Sequence, residues 1–356
     1  MAGQGRSGRW RRAVRVGVRA RLRRMRVEET NAIAAALGVE VVATRTLAGG
    51  FSHETSLLEL AGGGAVVARL GGPDPVVEAA VMELGRRHVP VPEVLLVLPS
   101  VAGGRPAMVL EHVAGTPLDI VLSGPGIVPV GSAPGPGPAA ALDPGLATAA
   151  GEVRALGVEV GRVVARIGVA RFDRPGYFGG PDLAVAAGPP WSEQLPVFAE
   201  SSMSKVPPSR LDPAARAAWA QLCAAHAPAL AGVDERARLV HADINPKNLL
   251  VSRAADGWRV DAVLDWEFAY AGCPYGDAAN MLRFGADYPA GFTEGFRAGF
   301  AAQLPSDLPP DDDWAYLGRV LDMFALTDLV TRSAGHPVAD RAAEEIRRWV
   351  AAGVPR

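Results

Sequence analysis

Residues 239–267 read LVHADINPKNLLVSRAADGWRVDAVLDWE. Two apolar segments, the first ending at Val240 and the second starting at Leu249, enclose a histidine, an aspartate, two asparagines and a lysine. LLVSR and WRVDAVLDW then read as the arms of a hairpin whose turn ends on Asp256-Gly257. Asp243 and Asn248 stand five apart on one short loop, so both can face a common space. The hairpin can return Asp265 beside them, with Glu267 two residues on. Carboxylate and amide oxygens are hard ligands, and magnesium bound with substrate phosphates needs only one or two of them from the protein. Asn248 and Asp265 suit that task, leaving Asp243 to orient a hydroxyl or accept its proton.

Upstream, VEETNAIAAALG (27–38) has helical spacing and stops at a glycine. VEVVATRTLAGG, FSHETSLLEL and AVVARLG then read as strands, with AGGG as a tight turn between the last two. DPVVEAAVMELGRRH reads as a helix opened by Asp74-Pro75, and VPVPEVLLVLPS and GRPAMVLEHVAG as two further strands. Residues 39–113 are thus expected to form a five-stranded sheet carrying one helix. Residues 123–150 are rich in Pro, Gly and Ala and lack periodicity, which reads as an insertion or surface loop. Helical patterns follow at 153–168 and 213–230, with an irregular stretch expected at 171–212. Residues 276–350 return to helix, broken at LPSDLPPDDD. This order is α+β rather than an alternating doubly wound sheet.

The bulk properties narrow the class. The 356 residues suit two lobes, and two cysteines, Cys223 and Cys273, make neither a disulfide framework nor a zinc spacing. No apolar run reaches the length of a membrane span. The first 26 residues hold ten arginines and no acid, so against a total of −2 the remainder carries −12. That arm reads either as a surface for nucleic acid or as a plain extension ahead of Met25, and the second reading is preferred. It has no apolar core of signal-peptide length, so a cytoplasmic location without a membrane partner is expected.

HADINPKNLL…VLDWE resembles the catalytic loop and metal-binding segment of the aminoglycoside phosphotransferase-like small-molecule kinases, which include choline kinase types. The resemblance runs from about residue 40 to 285, the Pro/Gly-rich insertion excepted. It implies a bilobal, protein kinase-like fold. A basic extension (1–26) would precede a nucleotide-binding lobe (27–113), a hinge with the insertion (114–155) and a helical catalytic and substrate lobe (156–356). It implies ATP and Mg2+ as cofactors and transfer of the γ-phosphate to a hydroxyl of a small molecule, an antibiotic or a metabolite. Asp243 would be the catalytic aspartate, Asn248 and Asp265 would hold magnesium, and His241 would be the structural histidine of the loop. Gly49, Gly50 and Ser52 in LAGGFSHET would offer backbone N–H groups to phosphates. Glu78 matches the helix glutamate, Leu110 and His112 the hinge that meets adenine, and Asp277 in GCPYGDAANM a downstream aspartate supporting the fold. Glu267 is a further supporting acid.

Three positions depart from the family pattern. Arg69 stands where the phosphate-binding lysine is usual, a planar fork in place of a point charge. Ala242 replaces a glycine or arginine. Lys247, beside Asn248, points either to the γ-phosphate or to solvent. Arg69 also keeps an alternative in view, a catalytically silent, nucleotide-binding regulator. In the acceptor region the acids Asp277, Glu294, Asp311, Asp312, Asp313 and Asp322 are candidates for an anionic lining suited to a polycation, although PPDDDW equally reads as a helix start. A Walker loop is excluded, since no G-x4-GK[ST] occurs. A protein kinase is disfavoured, because DWE replaces DFG and no APE segment follows.

Overall fold

The computed structural model describes residues 25–47, 53–124, 144–308, 313–333 and 335–355. The basic residues 1–24, the loop glycines Gly49 and Gly50 with Ser52, the bulk of the insertion, and Asp311 and Asp312 lie outside the described residues. The chain divides into two compact units. The first runs to Arg86 and takes in Val91–Ala114 and Gly180–Ala184; the second comprises Arg87–Pro90, Gly115–Gly179 and Val185–Arg356.

The first unit is a five-stranded antiparallel sheet in the order β1-β2-β3-β5-β4. Its strands are β1 (Val41–Thr46), β2 (Glu54–Leu60), β3 (Ala65–Leu70), β4 (Val94–Leu98) and β5 (Ala107–Glu111). Helix α1 (Val27–Leu37) precedes the sheet and ends at Gly38, whose φ of 69° only a residue without Cβ adopts freely. Helix α2 (Pro75–Arg86) links β3 to β4. The two-residue period of β3 explains how both helices find a partner. Val66, Ala68 and Leu70 pack with Ile33 of α1 in one buried cluster. Arg69, one residue out of phase, points from the opposite face to Glu78 of α2. Arg105 ties α1 to the sheet, reaching Glu29 at 3.1 Å and Glu54 at 2.9 Å.

The second unit is mainly helical. After β6 (Thr116–Pro117) and α3 (Leu118–Leu122) come α4 (Pro144–Ile167), α5 (Trp191–Met203) and α6 (Pro213–His226). Short strands follow: β7 (Arg238–Val240), β8 (Leu249–Ala254), β9 (Gly257–Val263) and β10 (Tyr270–Gly272). The chain ends in α7 (Tyr275–Leu282), α8 (Phe292–Gln303), α9 (Trp314–Leu329) and α10 (Pro337–Ala352). β8 and β9 form the expected hairpin, with β6 on the free edge of β8. Helices α4 and α8 approach so closely that a Cβ on Gly157 would fall 2.3 Å from the Phe292 carbonyl, and one on Gly295 2.1 Å from the Arg154 carbonyl. Cys223 and Cys273 are buried and free. Among the described residues, no helix is long and apolar enough to cross a membrane.

Besides the short elements β6, α3 and β10, two helices differ from expectation. Helix α4 begins at Pro144, nine residues ahead of the periodic segment. Its first turns are glycine and alanine with few large apolar residues, so they form helix by alanine's propensity and leave no amphipathic signature. Helix α5 interrupts the stretch 171–212, whose remainder is irregular as expected. Pro190 and Pro196 obscure it, yet Trp191, Leu195 and Ala199 bury one face at a four-residue interval. Pro190 sits at the N-cap, whereas Pro196 lies inside the helix and removes one backbone hydrogen bond from it, so the burial of this face is what keeps the segment helical.

Candidate active site

In the second unit, β7 pairs antiparallel with β10 and delivers the chain to His241. The turn that follows is held from below. Asp277, in the first turn of α7 and buried, accepts the backbone N–H of His241 and of Ala242, both at 2.8 Å. Ala242 is forced to a φ of 69°. That left-handed value costs an L-residue about 1–2 kcal/mol, a strain that glycine would not carry. The N–H of Asp243 donates to Nδ1 of His241 at 3.2 Å, so the imidazole carries its proton on Nε2 and donates to the Leu264 carbonyl at 2.9 Å. The ring also packs on Trp266, centroid to centroid 4.6 Å. His241 is a fully buried strut that joins the loop to the end of β9.

Two asparagines fix Asp243. Asn248 Nδ2 donates to the Asp243 carbonyl at 2.9 Å and to its Oδ2 at 3.0 Å. Asn245 Nδ2 donates to the same carbonyl at 3.0 Å and to Oδ1 at 3.3 Å. Asn245 Oδ1 in turn accepts the N–H of Lys247, an Asx turn that opens the single 3-10 turn Pro246–Asn248. Burial first, and then the neighbouring Asp265 charge, push the Asp243 carboxyl up to about 7, against the Arg283 guanidinium and the two amides. Asp277 is pushed up to about 7 as well, by burial, although its two N–H donors favour the ionised form.

Asp265 follows β9 in a left-handed conformation, φ 67°, which turns it back toward the loop. The Leu264 N–H donates to the Asn248 carbonyl at 2.8 Å, locking hairpin to loop. Asp265 is half-buried and so is Glu267. With Asn248 Nδ2 committed to Asp243, the carbonyl oxygen of that side chain is the atom left for a cation. Asp243 and Asp265 repel one another where a cation would relieve them, so the donor set fits Mg2+. The Lys247 side chain is exposed.

In the first unit, Arg69 Nη1 donates to Glu78 Oε1 at 2.5 Å, both residues buried. Nη2 reaches His53 Nδ1 at 2.9 Å. Burial, then the Arg69 charge, hold the His53 imidazole down at about 3, so it stays neutral and accepts. A Cβ on Gly72 would fall 2.0 Å from His53 Nε2, so glycine there makes room for the ring. Leu110 is buried within β5, opposite Val67 on one side and Val94 on the other; His112 lies just past the strand and is exposed.

The model of the APH phosphotransferase enzyme family matches residues 137–315, just over half of the 356. The chain belongs to the phosphotransferase enzyme family. No curated protein matches this phosphotransferase in sequence. Among solved structures, a thermostable mutant of aminoglycoside phosphotransferase APH(4)-Ia, in complex with ADP and hygromycin B, is similar at a TM-score of 0.63 and 18% identity. The match covers 92% of this chain and 99% of that one. The GDP and kanamycin complex of APH(2")-IIia has a TM-score of 0.59 at 15% identity, covering 91% and 98%. A protein of Thermobifida fusca YX-ER1, provisionally named a fructosamine-3-kinase, has a TM-score of 0.55 at 18% identity, covering 89% and 99%. At such identities the likeness is one of fold: the expected bilobal, kinase-like α+β architecture.

The phosphotransferase thus gathers His241, Asp243, Asn248, Asp265 and Asp277 in one unit and Arg69 with Glu78 in the other. Three contributors have no mark in the linear reading. His53 lies inside the quoted LAGGFSHET, yet only β2 pairing with β3 brings it to Arg69. Asn245 was visible as a loop amide with no reason to rank it. Arg283 sits near Asp243 through α7, and it pairs with Asp322 at 2.5 Å. Asp322 is correspondingly buried and also accepts from Asn280 at 2.7 Å. It does not serve as an anionic lining; nor does Asp277, whose carboxylate is taken up by the loop.

Proposed function

We propose that this phosphotransferase moves the γ-phosphate of ATP to a hydroxyl of a small molecule, with Asp243 as the group that aligns the hydroxyl and takes its proton. One observation carries the reading. The Asp243 carboxylate is clamped by two amide side chains and held near neutrality, where a group can both accept a proton and release it. Phosphoryl transfer asks chiefly for positioning and charge neutralisation, and a loop pinned by His241, Asp277 and two asparagines supplies the first. Arg69, oriented by Glu78 and His53, is the cation for the nucleotide phosphates. Asn248 and Asp265 would hold Mg2+, which when bound neutralises phosphate charge. ATP is supported by the ADP and AMP-PNP found on APH(4)-Ia, and a small hydroxylated acceptor by the hygromycin B and kanamycin on the neighbours. The exposed His112, just past β5, is the candidate for adenine contact. The silent-regulator alternative gains no support from Arg69, which makes the ion pair expected of the usual lysine.

The test is phosphate transfer from labelled ATP to a panel of hydroxylated small molecules. Asp243→Ala is expected to lower turnover by about 10²–10⁴-fold and to leave nucleotide binding nearly intact. Asp265→Ala is expected to weaken magnesium-dependent ATP binding as well, read by calorimetry. Wild-type turnover in Asp243→Ala would refute the assignment.

A further inference from the structure

Part of helix α5 is taken up within the second unit. Trp191 packs on Tyr177, Tyr270 and Phe324, and Phe198 packs on Phe324, with ring centroids 5.1 to 6.1 Å apart. Leu195 and Ala199 are buried beside them. At about 100° per residue, Pro196 and Glu200 fall on the side of the helix turned away from Trp191 and Phe198. There α5 and α6 flank a groove of about 530 Å³. Its α6 wall is a stripe of small residues at helical spacing, Pro213, Ala217, Ala220 and Ala224.

This groove and its rim fit a copy of themselves in shape and in charge. Val197, beside Pro196 on α5, is 68% exposed, the most exposed large apolar side chain among the described residues of the second unit. Across from it, the stripe on α6 has no long side chain to hold another helix off. Glu200 lines the α5 wall and Arg216 the α6 wall, yet among the described residues neither makes an ion pair. Arg216 gives Nη1 to the Val206 carbonyl at 3.1 Å, and its buried Nε has no acceptor. Glu193, one turn before Val197, adds a second exposed acid to α5, while Lys205 stands beyond its C-terminal end. On α6 the nearby acid, Asp212, already caps the Ala215 N–H.

We propose that this face is a two-fold interface between copies of this chain. Val197 of each copy sits on the alanine stripe of the other, and Glu200 meets Arg216 of the partner subunit. A two-fold contact is self-complementary: whatever one wall offers, the same surface of the second copy must accept. A knob, a stripe without bulk, an acid and a cation on one face meet that condition together. The interface is independent of the phosphotransferase reading, since it uses the side of α5 away from Trp191.

Sedimentation equilibrium of the full chain, from about 1 to 100 µM, reads the outcome. A dimer with a Kd of about 10 µM or tighter is expected, with a Tm that rises with protein concentration. Val197→Lys should raise the Kd by about tenfold or more. Glu200→Arg and Arg216→Glu should each do the same, because like charges then face one another across the axis. The double exchange should restore the Kd to within about threefold. Arg216 also holds the Val206 carbonyl, so circular dichroism checks the fold of its variants. Val197→Lys and Glu200→Arg change exposed side chains and keep the test decisive. A monomer at every concentration overturns the interface. So does a dimer whose Kd neither Val197→Lys nor Glu200→Arg moves. Both outcomes leave the phosphotransferase reading standing.

Discussion

Substituting Asp277 tests whether the catalytic loop owes its shape to one buried carboxylate. That carboxylate accepts two N–H groups at 2.8 Å, from His241 and from Ala242, while Ala242 is held at a φ of 69°. Hydrogen bonds to a charged acceptor contribute about 1.5–3 kcal/mol each. Asp277→Asn keeps one acceptor oxygen and turns an NH2 against the second N–H, so it should cost about 2–4 kcal/mol. Asp277→Ala removes both acceptors and should cost more. Ala242→Gly relieves the left-handed strain and should return up to about 1 kcal/mol. Because Asp277 and the strained residue act on the same turn, the Asn substitution should cost less when position 242 is glycine. Urea unfolding followed by tryptophan fluorescence reads this, because every tryptophan except Trp10 belongs to the second unit. Transfer activity should fall together with stability, by about 10–100-fold, since Asp243 begins one residue after the turn. Asp277→Asn unfolding within about 0.5 kcal/mol of wild type, or strictly additive effects with Ala242→Gly, would refute the reasoning.

Three further outcomes follow from the same geometry. The Asp243 carboxyl, raised from 3.8 to about 7 by burial and by Asp265, keeps a proton in the folded protein over a range where the unfolded chain has lost it. Its contribution to stability is therefore complete below the unfolded value and is lost as pH rises through about 7. In EDTA, the Tm of Asp243→Asn should gain on wild type between pH 4 and pH 8; a constant difference would contradict this. Arg69→Met strands the buried Glu78 and should cost about 3–5 kcal/mol, while Arg69→Met with Glu78→Met should cost much less; amide exchange across β3 and α2 distinguishes them. Gly295→Ala should destabilise by about 1–3 kcal/mol through overpacking against the Arg154 carbonyl, despite alanine's better helix propensity. A raised Tm would mean that α4 and α8 are not in close contact.

Much of this protein is legible in one dimension, and the legible parts share a cause. Strands of the first unit are legible because each is a short run of β-branched and apolar residues bounded by glycine or proline turns, whereas burial runs unbroken through the first four residues of β5 and is nearly absent from β1. The loop from His241 to Asn248 and the return to Asp265 are legible because chemistry demands particular side chains at short, fixed spacing. Helix α5 was not, since Pro190 and Pro196 punctuate the local pattern and the burial that holds the helix together is a tertiary effect. The early turns of α4 were not, since alanine makes helix without marking a face.

The sequence by itself indicated the strand-rich first unit and the helical second one, and it set Asp243, Asn248 and Asp265 close enough along the chain to meet. Tertiary structure alone decided that Asp322 is spent on Arg283 and Asn280, that His53 orients Arg69, and that Tyr177, Trp191, Tyr270, Phe198 and Phe324 form one row. The physical reason is range. Spacing along the chain sets what faces a common direction within a strand, turn or helix. Contacts between residues 14 to 133 positions apart depend on how elements pack, and a carboxylate's availability depends on which cation or amide reaches it first.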